Sequence, residues 1–230
     1  MKAGTHISVV IPALDEEASI AQVIALVPDW VDRTIVADNG SRDRTAARAA
    51  EAGAEVVHAP RRGYGSACLA GIRAAGMTDV IVFLDGDLAD DPTRMADLVT
   101  PILRGEAELV IGSRVLGGAE AGSLTWAQRF GNWLACTLIR IFWGAHHTDL
   151  GPFRAIRREA LERLDMRDPD FGWTVEMQVK AAQRKLVVTE VPVTYRIRIG
   201  VSKISGTVRG TVLAGTKIIW VILRSALWER

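Results

Sequence analysis

The sequence predicts an α/β protein built on a doubly wound, mostly parallel sheet, and three observations carry that expectation. Apolar runs rich in β-branched residues recur at residues 7–11 (ISVVI), 33–37 (RTIVA), 55–58, 80–84 (VIVFL) and 109–111. A helical pattern separates each run from the next. The residues with chemical potential cluster just after the runs end. Continuous apolar strands are buried on both faces, and the strand–helix–strand rhythm is that of parallel βαβ units. In such sheets ligands bind beyond the carboxyl ends of the strands.

Each element has a local reason. Pro12 interrupts the first run, and a helical pattern follows over 16–27. Residues 41–53 (SRDRTAARAAEAG) form a helix with Gly53 at its end. Small residues mark a helix over 64–76, and Pro92 opens another over 92–103. After Ser113 the rhythm breaks. An aromatic helix spans 123–143, strands are expected at 153–156 and 185–195 with a helix near 174–183 between them, and a last helix covers 204–228.

Composition narrows the class. The chain has 230 residues, 49% hydrophobic and 24% charged, with a mean hydropathy of +0.15. That length buries a full core, and the charge content excludes a disordered or collagen-like chain. The hydropathy is high for a soluble enzyme, yet no apolar run approaches the ~18 residues of a spanning helix. The longest candidate, residues 218–223, lies between Lys217 and Arg224. Two cysteines, Cys68 and Cys136, with no CxxC spacing indicate a reducing compartment. The strand beginning at Ile7 leaves no room for a secretory signal, so a cytoplasmic setting is expected.

The net charge of +1 hides an asymmetry. Residues 1–120 carry eleven basic and eighteen acidic residues; residues 121–230 carry seventeen and nine. An acidic half suits a cation, and a basic half suits phosphate or lipid headgroups. A nucleic-acid partner is not expected.

Four segments bear chemistry. Asp85-Gly86-Asp87 follows the fourth strand, and alternation about a glycine lets both carboxylates reach one cation. Hard oxygen ligands of this kind suit Mg²⁺ or Mn²⁺. Taken alone, the pair equally suits solvated acids in a turn. Asp90 and Asp91 read as capping residues before Pro92. Asp38-Asn39-Gly40-Ser41 follows the second strand and suits a nucleobase contact or a plain capping turn. The loop 61–67 (RRGYGSA) lets backbone approach a ligand at Gly65, although it matches neither common phosphate-loop pattern. Gly112-Ser113-Arg114 closes the fifth strand, where an arginine serves phosphate or a surface ion pair.

Together these stretches resemble the GT-A fold of inverting family 2 glycosyltransferases. The stretches that carry the resemblance are Ile11-Pro12-Ala13-Leu14-Asp15-Glu16-Glu17, Asp38–Ser41, Asp85-Gly86-Asp87 (DxD) and Gly112-Ser113-Arg114. Residues 148–154 (TDLGPFR) and 190–203 (EVPVTYRIRIGVSK) are similar to the polyprenyl-phosphate branch, which includes dolichyl-phosphate sugar synthases. The resemblance covers residues 7 to 203. It implies transfer of a hexose from a nucleotide sugar of GDP-mannose or UDP-glucose type to polyprenyl phosphate, with inversion and with Mg²⁺ or Mn²⁺.

Residue by residue, the resemblance implies nucleotide contacts from Pro12, Leu14, Glu16, Asp38, Gly65 and Asp85. It implies metal ligation by Asp85 and Asp87, and phosphate contacts from Arg114, Arg198 and Lys203. Asp149 falls in the acceptor-side stretch. The chain departs from the family pattern at Ala37, at Leu14-Asp15 and at Ala89, which leaves a third metal ligand open. By this reading 1–202 is the catalytic domain, with a nucleotide and metal half (1–120) and an acceptor half (121–202). Residues 203–230 form a membrane-associating helix.

An anionic acceptor phosphate needs positioning rather than a general base. A hydroxyl acceptor would need a carboxylate base, with Asp149 or Glu176 as candidates. A nucleotidyltransferase is disfavoured, because IPALDEE stands where a Gly-rich loop belongs. A non-catalytic nucleotide-sugar-binding protein is the alternative from another class, and the paired aspartates argue against it.

The surplus hydropathy is expected in two helices. Over 123–143, Trp126, Phe130, Trp133, Leu134, Thr137 and Ile141 share one ~100° arc, edged by Arg129 and Arg140. This reads as a membrane-interface helix or a core stripe. In the last helix Lys203, Arg209, Lys217 and Arg224 share one side against Val, Leu, Ile and Trp. That helix suits peripheral attachment at the cytoplasmic face of a membrane, a homo-oligomer contact, or a cover for the sheet. His146-His147 suits a polar loop or a metal ligand.

Overall fold

The computed structural model describes residues 4–200 and 208–228. The chain runs β1 (Ile7–Ala13), α1 (Ile20–Ala25), β2 (Arg33–Asp38), α2 (Thr45–Glu51), β3 (Glu55–His58), α3 (Tyr64–Ala75) and β4 (Val80–Phe83). It continues through α4 (Met95–Leu103), β5 (Leu109–Ser113), the single turn α5 (Arg114–Gly117) and α6 (Trp126–Trp143). It ends with β6 (Arg154–Arg157), α7 (Arg158–Leu164), α8 (Trp173–Gln183), β7 (Val188–Pro192) and α9 (Val208–Trp228).

The seven strands form one sheet in the order β3-β2-β1-β4-β6-β5-β7. All neighbours are parallel except β6, which runs antiparallel between β4 and β5. The sheet is thus mostly parallel and doubly wound, as the five apolar runs predict. Strand alternation splits the core into two layers. Val9 and Ile11 of β1 face the layer with Ile20 and Leu98, while Val10 faces the layer with Cys68, Phe83 and Trp173. Trp173 meets Phe83 edge-on with ring centroids 5.9 Å apart.

Two close approaches place the site loop. A Cβ at Gly65 would lie 1.9 Å from the Asp168 carbonyl oxygen, so α3 abuts the 168–170 loop where only glycine fits. The Ser66 amide then donates to the Pro169 carbonyl at 2.8 Å. Gly65→Ala is expected to cost about 1–3 kcal/mol through this overlap, read as a lowered midpoint in urea denaturation.

Helix α6 begins at Trp126, three residues later than the sequence pattern suggests, because Thr125 and Gln128 form a capping box. Its aromatic stripe faces outward: Trp126 is 77% exposed, Trp133 59% and Ile141 67%. Trp126 stacks on Phe130, which also meets Trp133. Helix α9 buries Val221, Ile222, Ser225 and Ala226 and packs against α6 and α8, while Val212, Leu213, Trp220 and Leu227 stay exposed. It is therefore both a cover for the fold and an apolar surface. No helix among the described residues is long and apolar enough to cross a membrane.

Candidate active site

The carboxyl ends of β1, β2 and β4 open onto a cavity of about 320 Å³ lined by Pro12, Leu14, Glu16, Asn39, Arg62, Tyr64, Asp85, Asp87, Phe171 and Arg198. Of the residues expected to meet a nucleotide, Pro12, Leu14, Glu16 and Asp85 line this cavity. Asp38 and Gly65 do not appear in its wall. The Asp38 carboxylate accepts from the amides of Gly40 (3.3 Å) and Ser41 (3.2 Å) and meets His58 Nδ1 at 3.2 Å. It holds its own turn and presents Asn39 instead. Asn39 braces the next loop, accepting from the Gly63 amide at 2.7 Å and donating to the Arg61 carbonyl at 2.9 Å.

Asp85 and Asp87 sit together at the cavity floor. Tyr64 donates its hydroxyl to Asp85 Oδ1 at 2.9 Å. Asp87 Oδ1 accepts from the Ala89 amide at 3.0 Å, and the next residue, Leu88, takes a positive φ of 62° to make that turn. Arg198 Nη2 lies 2.6 Å from Asp87 Oδ2 and 3.5 Å from Glu16 Oε1. Burial, and then the charge of Asp87, push Asp85 up to about 7. Two neighbouring carboxylates, one buried and one half-buried, fit a divalent cation, which would relieve their repulsion. No group of three or more Asp, Glu, His or Cys among the described residues is arranged to hold a metal. Any such ion must complete its shell with ligand phosphate and water. Ala89 adds nothing to that shell.

Arg114 and Asp149, expected as separate site residues, pair with each other. Arg114 Nε and Nη2 bond Asp149 Oδ2 and Oδ1 at 2.7 and 2.6 Å, and the Arg114 amide also donates to Oδ2 at 2.8 Å. Burial opposes the Arg114 charge, but its bonds to Asp149 outweigh burial and raise its pKa. The guanidinium also stands 5.0 Å from the Tyr195 ring centroid. Glu176 is committed elsewhere: it accepts from the amides of Arg167 and Asp168 at 3.0 and 2.8 Å and pairs with Lys180. Neither acid is placed as a free base. Lys203 lies outside the described residues. On α9, Lys217 pairs with Asp168 at 2.8 Å, and Lys217 and Arg224 flank the Trp220 ring.

Three groups in this region sit in environments that sequence patterns do not show. Asp90 reads as a cap, but only Asp91 caps, accepting from the Thr93 amide at 3.1 Å. Asp90 is 1% exposed, and neither carboxylate oxygen has a hydrogen-bond partner. Burial, then the charge of Asp85, raise its pKa well above the usual range. Arg154 is fully buried and bonds the carbonyls of Leu150, Gly151 and Thr174; burial lowers it to about 10. His147 has both ring nitrogens buried and unpartnered, and burial lowers it to about 4.

A histidine with a depressed native pKa stabilises the fold above the unfolded value near 6.5 and loses that contribution as pH falls toward 4. Unfolding free energy should therefore drop by about 1–2 kcal/mol between pH 7 and pH 5. Urea titrations of wild type and His147→Gln at both pH values check this. The variant should show the smaller drop.

A second cavity of about 260 Å³ adjoins the first between α6 and α9. It shares Tyr64, Asp85, Phe171 and Arg198 and adds Arg114, Gly131, Leu150, Pro152, Gly215 and Ile218. One end is charged and the other apolar.

The glycosyl transferase family 2 model matches residues 8–165, the part that holds the paired aspartates, Arg114 and Asp149. The chain belongs to this family. An uncharacterized glycosyltransferase of Mycobacterium tuberculosis is 38% identical over 214 residues, 92% of this chain and 95% of that protein. The dolichyl-phosphate hexose transferase of Haloferax volcanii is 30% identical over 227 residues, 96% of each chain. A solved glucosyl-3-phosphoglycerate synthase of M. tuberculosis, in complex with Mn²⁺, UDP-glucose and phosphoglyceric acid, superposes with a TM-score of 0.81. It is 29% identical, covering 98% of this chain and 81% of that one. The GT-A fold and the glycosyltransferase class expected from the motifs thus hold for this family 2 member.

Proposed function

We propose that this glycosyltransferase moves a hexose from a nucleotide sugar to polyprenyl phosphate at a membrane surface. One observation carries the reading: the donor-sized cavity and the apolar cavity between α6 and α9 meet at Asp85 and Arg198. A sugar held over Asp85 would face a phosphate held by Arg198, with an isoprenoid tail lying toward Gly131, Gly215 and Ile218. The dolichyl-phosphate transferase that matches nearly the full chain supports this acceptor class.

Asp85 and Asp87 would hold Mg²⁺ or Mn²⁺ with the donor diphosphate, and the ion would neutralise charge on the leaving group. The solved synthase binds Mn²⁺ with its nucleotide sugar, which supports this cofactor. Arg198 would leave Asp87 as the cation enters and turn to a phosphate. Tyr64 would keep the Asp85 carboxylate aimed at the ion. The acceptor phosphate attacks as an anion, so no base is required, in keeping with the engagement of Asp149 and Glu176. Residues 1–202 would form the catalytic unit and 203–230 its membrane contact on the cytoplasmic face.

A hydroxyl acceptor is the second reading, favoured by the likeness to the phosphoglycerate-dependent synthase. Calorimetry tests the donor half: UDP or GDP should bind with Mn²⁺ and bind far more weakly without it. No cation effect on either nucleotide would contradict the site. Mass spectrometry after incubation with a short prenyl phosphate or with 3-phosphoglycerate tests the acceptor half. Sugar on phosphoglycerate alone would overturn the lipid reading.

A further inference from the structure

A third cavity, of about 870 Å³, runs along α6 beside the second, with which it shares Arg114, Gln128 and Asn132, and is lined further by Arg129, Arg140 and His147. Its charges do not cancel. Arg114 is neutralised by Asp149. Glu190 is consumed by the 148–149 turn, accepting from the Thr148 amide, the Thr148 hydroxyl at 2.8 Å and the Asp149 amide at 3.2 Å. Arg129 and Arg140 have no acidic partner among the described residues, and each is exposed on the helix. His147 lines the same cavity, and its buried ring nitrogens have no hydrogen-bond partner. A buried imidazole normally finds one, so these atoms are shaped for a ligand or water.

The position of the cavity is informative. Trp133 both lines it and belongs to the exposed Trp126–Phe130–Trp133 stack. A basic, hydrogen-bonding cavity thus opens beside an apolar ridge on the same helix. That is the layout of a headgroup site at a membrane interface, with cations at phosphate level and aromatic rings just below.

We propose that this cavity is a second phosphate-binding site, separate from the donor cavity, in which Arg129, Arg140 and His147 take the phosphate of an anionic lipid headgroup. The proposal rests on the interfacial placement of α6 and not on the identity of the acceptor. It concerns only a phosphate group, so a soluble phosphate ester is the other source the same chemistry admits.

The test uses the full-length protein, wild type, R129Q/R140Q and His147→Phe, with R73Q/R104Q as a charge-matched control on other exposed faces. Sedimentation with phosphatidylcholine vesicles, with and without 30 mol% (about one lipid in three) phosphatidylglycerol, reads the lipid source. Thermal shift with inorganic phosphate or glycerol 3-phosphate reads the soluble source. Wild type should bind phosphatidylglycerol vesicles about tenfold more tightly than neutral ones, and R129Q/R140Q should lose that preference while the control keeps it. His147→Phe should weaken it while sedimenting normally with neutral vesicles and keeping its circular dichroism spectrum. A phosphate-dependent thermal shift lost in R129Q/R140Q, with no vesicle preference, also supports the site and assigns it to a soluble ester. Equal preference in wild type and R129Q/R140Q, or no response of wild type to any phosphate, overturns the proposal. Failure of wild type to bind either vesicle, with transfer to short prenyl phosphate intact, overturns the interfacial placement and leaves the acceptor reading standing.

Discussion

Asp87→Asn is expected to slow sugar transfer by about 10³-fold, roughly 4 kcal/mol at the transition state, and to remove the response to added Mn²⁺. The argument starts from position. Asp87 is 2% exposed, at the cavity floor, fixed by the Ala89 amide through one oxygen. Its second oxygen meets Arg198 at 2.6 Å. An asparagine keeps the volume and loses the charge, so it can hold the turn but not a divalent cation with diphosphate. A departing nucleoside diphosphate would then develop charge that the proposed site meets only with Arg198. Initial rates across a Mn²⁺ titration check this. A variant with wild-type cation dependence would remove Asp87 from the cation site.

Asp149→Ala is expected to lower stability by about 3 kcal/mol, the cost of leaving a largely desolvated arginine, 13% exposed, without its partner. Three donors converge on this carboxylate from Arg114 alone, and Asp149 is 1% exposed. The loss is larger than a surface ion pair would give, because Arg114 can recover only a small part of its hydration. A double variant, Asp149→Ala with Arg114→Met, should recover part of the loss, since it removes the orphaned charge. Urea denaturation of the two single variants and the double variant measures that coupling. Additive losses would mean that the pair is not energetically joined.

Much of this fold is legible in the sequence, for a physical reason. A parallel strand buried on both faces must be apolar throughout, so β1, β2, β4 and β5 announce themselves. Strand β6 is also expected, at 153–156, but its antiparallel insertion between β4 and β5 is not, nor is the burial of Arg154, whose charge is satisfied by carbonyls from Leu150, Gly151 and Thr174. No local pattern reveals that arrangement.

The candidate site is legible where consecutive residues suffice, as in Asp85-Gly86-Asp87. It is obscure where partners are distant. Arg114 and Asp149 are 35 residues apart, and Arg198 is 182 from Glu16, so composition alone cannot pair them. Asp90 looks like its neighbour Asp91 in sequence, and only the packing of Tyr195 across it separates a buried acid from a cap. The aromatic stripe of α6 suits a core or a surface equally by periodicity, and it faces outward.

The most direct measurement follows radiolabelled sugar from UDP- and GDP-linked donors in one mixture that holds Mn²⁺, polyprenyl phosphate in vesicles and 3-phosphoglycerate. After solvent extraction, wild type should place label in the organic phase, and Asp87→Asn should place none. Label confined to the aqueous phase as glycosylated phosphoglycerate, or no labelled product with any donor, would contradict transfer to lipid phosphate.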